Sequence, residues 1–126
     1  MIALDGSSLF AILLDETEAE RCAAALNAAD ALIISAASYT ECLIVAARKD
    51  IFQEMSDFLA ELGPEIIPLT ATRARAAADH YRIWGKGFHK ASLNYGDSFA
   101  YALASEFGCP LLFIGNDFAR TDVTVA

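Results

Sequence analysis

The sequence predicts an α/β sandwich built around a mainly parallel β-sheet. Short apolar runs alternate with longer segments of helical periodicity along the 126 residues, and this alternation is typical of parallel strands that are covered by helices. The length is that of one domain, which we expect to span residues 1–126. In such sheets ligands bind beyond the carboxyl ends of the strands, so a functional site is expected there.

The predicted strands are four apolar runs: Ile2–Leu4, Ala31–Ser35, Glu65–Leu69 and Leu111–Ile114. Pro68 cannot donate a ladder hydrogen bond, and it therefore marks the end of the third run. A further short run at Val123–Val125 is a candidate edge strand.

The remaining periodic segments predict helices. Their bounds are Leu9–Leu14 after a Ser7 or Ser8 cap, Asp15 to about Ala29, Ser38–Arg48, Ile51–Leu62, Thr70–Trp84 and Tyr95–Phe107. Gly63 and Gly108 stand where helix-ending glycines are expected, and Asn94 is the predicted cap of the last helix. The stretch from Gly85 to Leu93 is predicted to be a loop.

Composition argues against several classes of function. The net charge of −8 is evidence against unspecific binding of polyanions, although it suits a basic protein partner. Basic residues concentrate between positions 73 and 90, where Arg82, Lys86 and Lys90 are candidate contacts to an RNA backbone. A solvated helix face is the alternative interpretation of these cations.

Targeting and redox signals are absent from the sequence. The longest apolar runs are far shorter than the roughly 20 residues that span a membrane, and no basic segment opens the chain, so a cytoplasmic location is predicted. The cysteines Cys22, Cys42 and Cys109 form no CxxC pair or zinc motif, and we expect them to be reduced.

Four acidic residues stand either just after a predicted strand or near the start of a predicted helix. These residues are Asp5, Glu41, Asp97 and Asp117. A parallel sheet would bring them to one edge, where clustered carboxylates repel each other unless a hard divalent cation lies between them. The pattern therefore predicts metal-dependent phosphodiester chemistry.

Each of these acids also has an ordinary structural explanation. Asp5 could cap a helix or form a turn, Ser38–Glu41 fits a capping box, Asp97 would favour the start of a helix dipole, and Asn116–Asp117 is common turn material. The conjunction of the acids is more informative than any single one. Other phosphate chemistries are disfavoured, since the chain has neither GxxxxGK[ST] nor GxGxxG.

Four segments of the chain carry a resemblance to a known family: Leu4–Leu9, Ser35–Glu41, Leu93–Ala104 and Pro110–Asp122. Through them the chain resembles the PIN-domain ribonucleases, and among these the VapC-type toxins of toxin–antitoxin pairs. The combination of Asn-Tyr-Gly-Asp with Gly-Asn-Asp-Phe is specific, whereas either motif alone would be weak.

The resemblance implies a three-layer α/β/α fold and an endoribonuclease that depends on Mg²⁺ or Mn²⁺. It matches the catalytic acids of the family to Asp5, Glu41, Asp97 and Asp117. Asp5 and Asp97 would bind the metal directly, while Glu41 and Asp117 would act through water or complete a second metal site.

Two positions depart from the common pattern of the family. Many members carry their fourth acid where this chain has Gly115, so Asp117 is the candidate here, with Asn116 assisting. Gly6 stands where Ser or Thr is common, and Ser7 remains available to orient a ligand.

The resemblance also implies partners, namely a cognate antitoxin, an RNA substrate and a second copy of the chain in a homodimer. No association with membranes is expected, because the apolar runs are too short to span one. Two other functions stay open: a catalytically weak PIN-like binding module that works only through its partner, and a housekeeping RNA-processing nuclease. A neighbouring small antitoxin gene would argue against the housekeeping nuclease.

Overall fold

A central sheet of four parallel strands organises the computed structural model, which describes all 126 residues. The strands are β1 (Ile2–Leu4), β2 (Leu32–Ser35), β3 (Glu65–Ile67) and β4 (Leu111–Leu112). Their order is β3-β2-β1-β4, so β1 is a central strand. The predicted parallel sheet is confirmed.

Six α-helices and one short 3-10 helix surround the sheet. They are α1 (Gly6–Leu13), α2 (Ala19–Ala28), α3 (Ala36–Arg48), α4 (Phe52–Leu62), α5 (Ala71–Trp84), α6 (Tyr95–Phe107) and the 3-10 helix Phe118–Arg120. None of these helices has the length and apolar character needed to cross a membrane.

The two faces of the sheet pack into two separate hydrophobic cores. Successive side chains of a strand point to opposite faces, and accordingly Ile2 and Leu4 belong to the core formed with α1 to α4, while Ala3 belongs to the core formed with α6. All three side chains are buried, as is typical of a strand covered on both sides. The three-layer α/β/α architecture is thereby confirmed.

The start of α1 differs from the sequence prediction. The helix begins at Gly6 instead of Leu9, because Asp5 takes the N-cap position predicted for Ser7 or Ser8. The Asp5 side chain accepts a hydrogen bond from the Ser7 N–H, and the Ser8 hydroxyl donates to the Asp5 carbonyl oxygen at 2.7 Å. An acid therefore stands at the exact junction of the central strand and its helix.

Several other predicted helices and strands are shorter in the structure than the sequence predicts. The second helix begins at Ala19, since Asp15 adopts a left-handed conformation (φ 51°) that separates α1 from α2. The third strand ends at Ile67 and the fourth at Leu112. The proposed edge strand at Val123–Val125 is wrong, because only an isolated bridge joins Val125 to Leu111.

Helix ends and cysteines follow the sequence prediction. Gly63 and Gly108 end α4 and α6 in left-handed conformations (φ 64° and 58°), which glycine adopts without steric cost. All three cysteines are free thiols, with Cys22 and Cys42 buried and Cys109 half-buried.

The packing of α4 against the sheet can be tested at Met55, which has no exposed surface and lies in the core with α1 to α3. Truncation to Ala leaves a cavity, so we expect Met55→Ala to lower the free energy of unfolding by about 2–5 kcal/mol. Urea unfolding provides the measurement. Gln53→Ala, an exposed change on the same helix, should stay within about 0.5 kcal/mol of the wild type. Equal effects of the two variants would contradict the assigned packing.

Candidate active site

Asp5 lies at the carboxyl end of β1 with only 8% of its surface exposed. Its Oδ2 atom accepts hydrogen bonds from the Ser7 N–H at 3.1 Å and from the Ser7 hydroxyl. The Ser7 Oγ atom in turn accepts from the Ile114 N–H at 3.0 Å, which ties the acid to the segment after β4. Burial raises the pKa of the Asp5 carboxyl, while the bonds from Ser7 lower it.

Asp97 is held in the first turn of α6 by a capping box. The Asn94 N–H donates to Asp97 Oδ2 at 3.0 Å, and the Asp97 N–H donates to Asn94 Oδ1 at 2.8 Å. The predicted Asn94 cap is therefore confirmed. Burial, together with the negative charges of Asp5, Asp117 and Glu41, raises the pKa of Asp97 to about 7.

Glu41 has a different structural context from the predicted one. The capping box Ser38–Glu41 is wrong, because α3 begins earlier, with the Ser35 hydroxyl accepting from the Ala37 N–H at 3.2 Å. Ser38 is buried, and its hydroxyl has no hydrogen-bond partner. Glu41 thus has no capping role.

The Glu41 carboxyl group instead reaches across to the first turn of α6. A Cβ atom placed on Gly96 would lie 2.0 Å from Glu41 Oε2, so the carboxyl occupies the space above that glycine. Desolvation and the charge of Asp5 raise the pKa of Glu41. The structure therefore brings Asp5, Glu41 and Asp97 into one electrostatic cluster.

Asp117 is the most peripheral of the four acids. It is exposed and precedes the 3-10 helix, where its side chain makes no capping hydrogen bond. Its charge nevertheless contributes to the raised pKa of Asp97. Asn116 is also exposed, and Gly115 adopts a left-handed conformation (φ 96°) that favours glycine at this position.

The carboxylates of Asp5, Glu41 and Asp97 are the type of oxygen ligand that magnesium and manganese prefer, but they do not form a complete coordination site. No group of three or more His, Cys, Asp or Glu side chains converges closely enough to hold a metal ion. Mg²⁺, however, commonly binds through one or two carboxylates and several waters. The charge of Asp5 contributes to the raised pKa values of Glu41 and Asp97, so these three acids supply such oxygen ligands and the negative charge that a cation would offset.

The candidate RNA-contacting cations Arg82, Lys86 and Lys90 are all exposed. Arg82 lies 3.7 Å from Asp79 and lines a groove of about 560 Å³ that also includes Tyr95, two residues before Asp97. The sequence prediction missed this groove, although its aromatic lining residues Tyr81, Phe88, Tyr95 and Phe99 are visible in the sequence.

Comparisons with known proteins show the family to which the chain belongs. The family model described as PIN domain matches residues 2–123, and the chain belongs to the PIN-domain family. Ribonuclease VapC30 of Mycobacterium tuberculosis is 43% identical over 99% of this chain and 98% of its own length. Ribonuclease VapC of Mycolicibacterium smegmatis is 41% identical over 97% of both chains. Within the PIN-domain family, the chain is thus a ribonuclease of the VapC type.

Solved structures agree on the fold. The crystal structure of Mycobacterium tuberculosis VapC20, a Sarcin-Ricin loop cleaving toxin, superposes with a TM-score of 0.81 at 11% identity, covering 100% of this chain and 98% of that one. A toxin–antitoxin complex from Klebsiella pneumoniae gives a TM-score of 0.74 at 20% identity, covering 100% and 97%. The PIN-like fold predicted from the sequence is confirmed.

The raised pKa of Asp97 predicts a pH-dependent stability in the presence of chelator. At pH values between the ordinary pKa of 3.8 and the raised pKa of about 7, the Asp97 carboxyl keeps its proton in the folded protein but has released it in the unfolded chain. The free energy of unfolding should therefore fall as the pH rises through this interval. Asp97→Asn removes this titration and keeps an oxygen acceptor for the Asn94 N–H. The free energy of unfolding of this variant should therefore fall less steeply with pH than that of the wild type.

Urea unfolding in EDTA at several pH values measures this difference. Asp57→Asn, at an exposed position of α4, serves as the control and should follow the wild type. A decline of the same size in Asp97→Asn and the wild type would contradict the assignment to Asp97.

Proposed function

We propose that this ribonuclease is an endoribonuclease that depends on Mg²⁺ or Mn²⁺ and acts as the toxin of a toxin–antitoxin pair. The observation that carries the proposal is the cluster of Asp5, Glu41 and Asp97 at the carboxyl edge of the sheet. The charge of Asp5 adds to the effect of desolvation on the pKa of Glu41, and the charges of Asp5 and Glu41 add to it at Asp97. Such a cluster is costly in the absence of a cation, and its ligand chemistry is that of hard divalent metals.

In this proposal Asp5 and Asp97 are direct metal ligands, while Glu41 and Asp117 act through water or complete a second site, with Asn116 assisting. When bound, the cation would activate the attacking water and offset the charge that develops on the phosphate. Ser7 keeps the Asp5 carboxyl in place through its two hydrogen bonds. The Asn94 N–H restrains Asp97 in the same way.

The proposed partners are a cognate antitoxin, the RNA substrate and a second toxin subunit. The fold is shared with a chain of a toxin–antitoxin complex from Klebsiella pneumoniae, and the net charge of −8 suits a basic partner. An antitoxin that placed a basic side chain among the carboxylates would neutralise their charge and block the site.

A second candidate function is a catalytically weak binding module that works only through its partner. Two observations favour this weak binding module. No three acidic, His or Cys side chains converge as metal ligands, and position 115 carries glycine instead of an acid. Isothermal titration calorimetry with Mn²⁺ separates the two candidates. A folded protein that binds its antitoxin tightly but binds no divalent cation would be the weak module.

Asp5→Asn tests the catalytic proposal. The change retains the size of the side chain but removes the charge at the centre of the cluster, so we expect RNA cleavage to fall by about a hundredfold or more. Cleavage of a structured RNA with Mg²⁺ or Mn²⁺ is the assay, and chelator should stop the wild-type reaction. Growth arrest on expression should be lost in parallel.

The control for this variant is Asp57→Asn, which removes an exposed acid from α4 and should leave cleavage unchanged. Retention of both cleavage and growth arrest in Asp5→Asn would refute the proposed role of the cluster.

The basic segment makes a separate prediction about RNA binding. If Arg82, Lys86 and Lys90 contact phosphates, each substitution by Ala should weaken binding and lower the slope of log K against log salt by about one. Filter binding to the Asp5→Asn protein at several salt concentrations gives the slope. Lys49→Ala, an exposed cation next to α3, should leave it unchanged. Unaltered slopes in all variants would assign the segment to a solvated surface.

A further inference from the structure

Gly96 directly precedes Asp97 in the chain, and the space above its Cα atom is filled by the Glu41 carboxyl group. An added Cβ atom would lie 2.0 Å from Glu41 Oε2 and 2.5 Å from both Glu41 Oε1 and Glu41 Cδ. These three nearest atoms all belong to one flexible side chain that comes from a different helix. Separations below 3.0 Å do not occur for real Cβ atoms, so any other residue here would displace the carboxyl.

The glycine has no local backbone reason to be there. Gly96 is the second residue of α6 and has an ordinary helical conformation, unlike the positive-φ glycines Gly63 and Gly108. Glycine within a helix costs roughly 1 kcal/mol relative to Ala. Gly85 provides a contrast, because a Cβ there would meet the Tyr81 backbone carbonyl at 2.5 Å, which is a rigid obstacle of the fold itself.

We propose that Gly96 is a positioning residue for the active site, and that its missing side chain admits the Glu41 carboxyl to the place next to Asp97 from which it assists cation binding. The inference rests on the proposed metal-dependent function, and it adds a site residue that has no functional group of its own. Its consequence is that Gly96→Ala should harm the site while leaving the fold intact, since the obstacle can rotate away.

The affinity for Mn²⁺ alone, measured by calorimetry, tests the functional half of the inference. Gly96→Ala should weaken Mn²⁺ binding by about tenfold, the lower end of the range for residues that orient metal ligands. In a Glu41→Ala background the same change should alter the affinity less than about twofold. No loss in the first case, or an equal loss in both backgrounds, would overturn the proposed role.

Urea unfolding without metal tests the contact itself. With Glu41 replaced by Ala, Gly96→Ala should raise the urea midpoint, because helix propensity improves and the space is free. With Glu41 present, the midpoint should rise less or fall. The same shift in both backgrounds would overturn the inference. Should Gly96→Ala alone fail to fold, the Glu41→Ala/Gly96→Ala double variant should fold, and failure of the double variant would also overturn it.

The control Gly85→Ala should lower the midpoint equally in both backgrounds, because its obstacle is the Tyr81 backbone. These experiments also distinguish failure of the Gly96 inference from failure of the proposed metal-dependent function. Loss of Mn²⁺ binding in Glu41→Ala but not in Gly96→Ala would remove the inference alone. A wild type whose Mn²⁺ binding and cleavage do not respond to Asp5→Asn would instead refute the proposed function, while the unfolding measurements still decide whether Gly96 and Glu41 are in contact.

Discussion

The burial of the Asp5 carboxyl is the constraint on which the rest of the site depends. Because β1 is central in the sheet and covered on both faces, the acid at its end is removed from water and its pKa is raised. The hydrogen bonds from the Ser7 hydroxyl and from the Ser7 and Gly6 backbone counter this cost. Glu41 and Asp97 add further negative charge nearby, which a fold selected for stability alone would avoid. The site therefore sacrifices stability to concentrate charge, as functional sites commonly do.

Helix starts make this concentration of charge tolerable. Asp5 caps α1, and Asp97 belongs to the capping box of α6, so each acid satisfies backbone N–H groups at the positive end of a helix. The two explanations weighed for these residues, helix capping and metal binding, are therefore compatible. The cap fixes the position of the carboxyl, and that fixed position is what a metal ligand needs. Glu41 has no such support, and its carboxyl group lies in the space above Gly96.

Local patterns predicted those parts of the structure that depend on local interactions. The Asn94 cap was predicted correctly because its hydrogen bond lies within four residues, although the reciprocal bond to the Asp97 carboxylate was not predicted. The similar pattern at Ser38–Glu41 was misleading, because β2 continues to Ser35 and that serine caps α3 first. The contact between Glu41 and Gly96 joins two helices that are far apart in the sequence, and no spacing rule in a single chain encodes such an approach.

The charges of Asp5, Asp117 and Glu41 all raise the pKa of Asp97, and no basic side chain lies close enough to lower it. These carboxylates therefore repel one another. Under the proposed function, a divalent metal and a basic side chain of an antitoxin would both relieve this repulsion. Both would occupy the space between the same carboxylates, and each would thus exclude the other. The proposed metal dependence and the proposed inhibition by a basic partner would then share one physical origin, the negative charge at the carboxyl edge of the sheet.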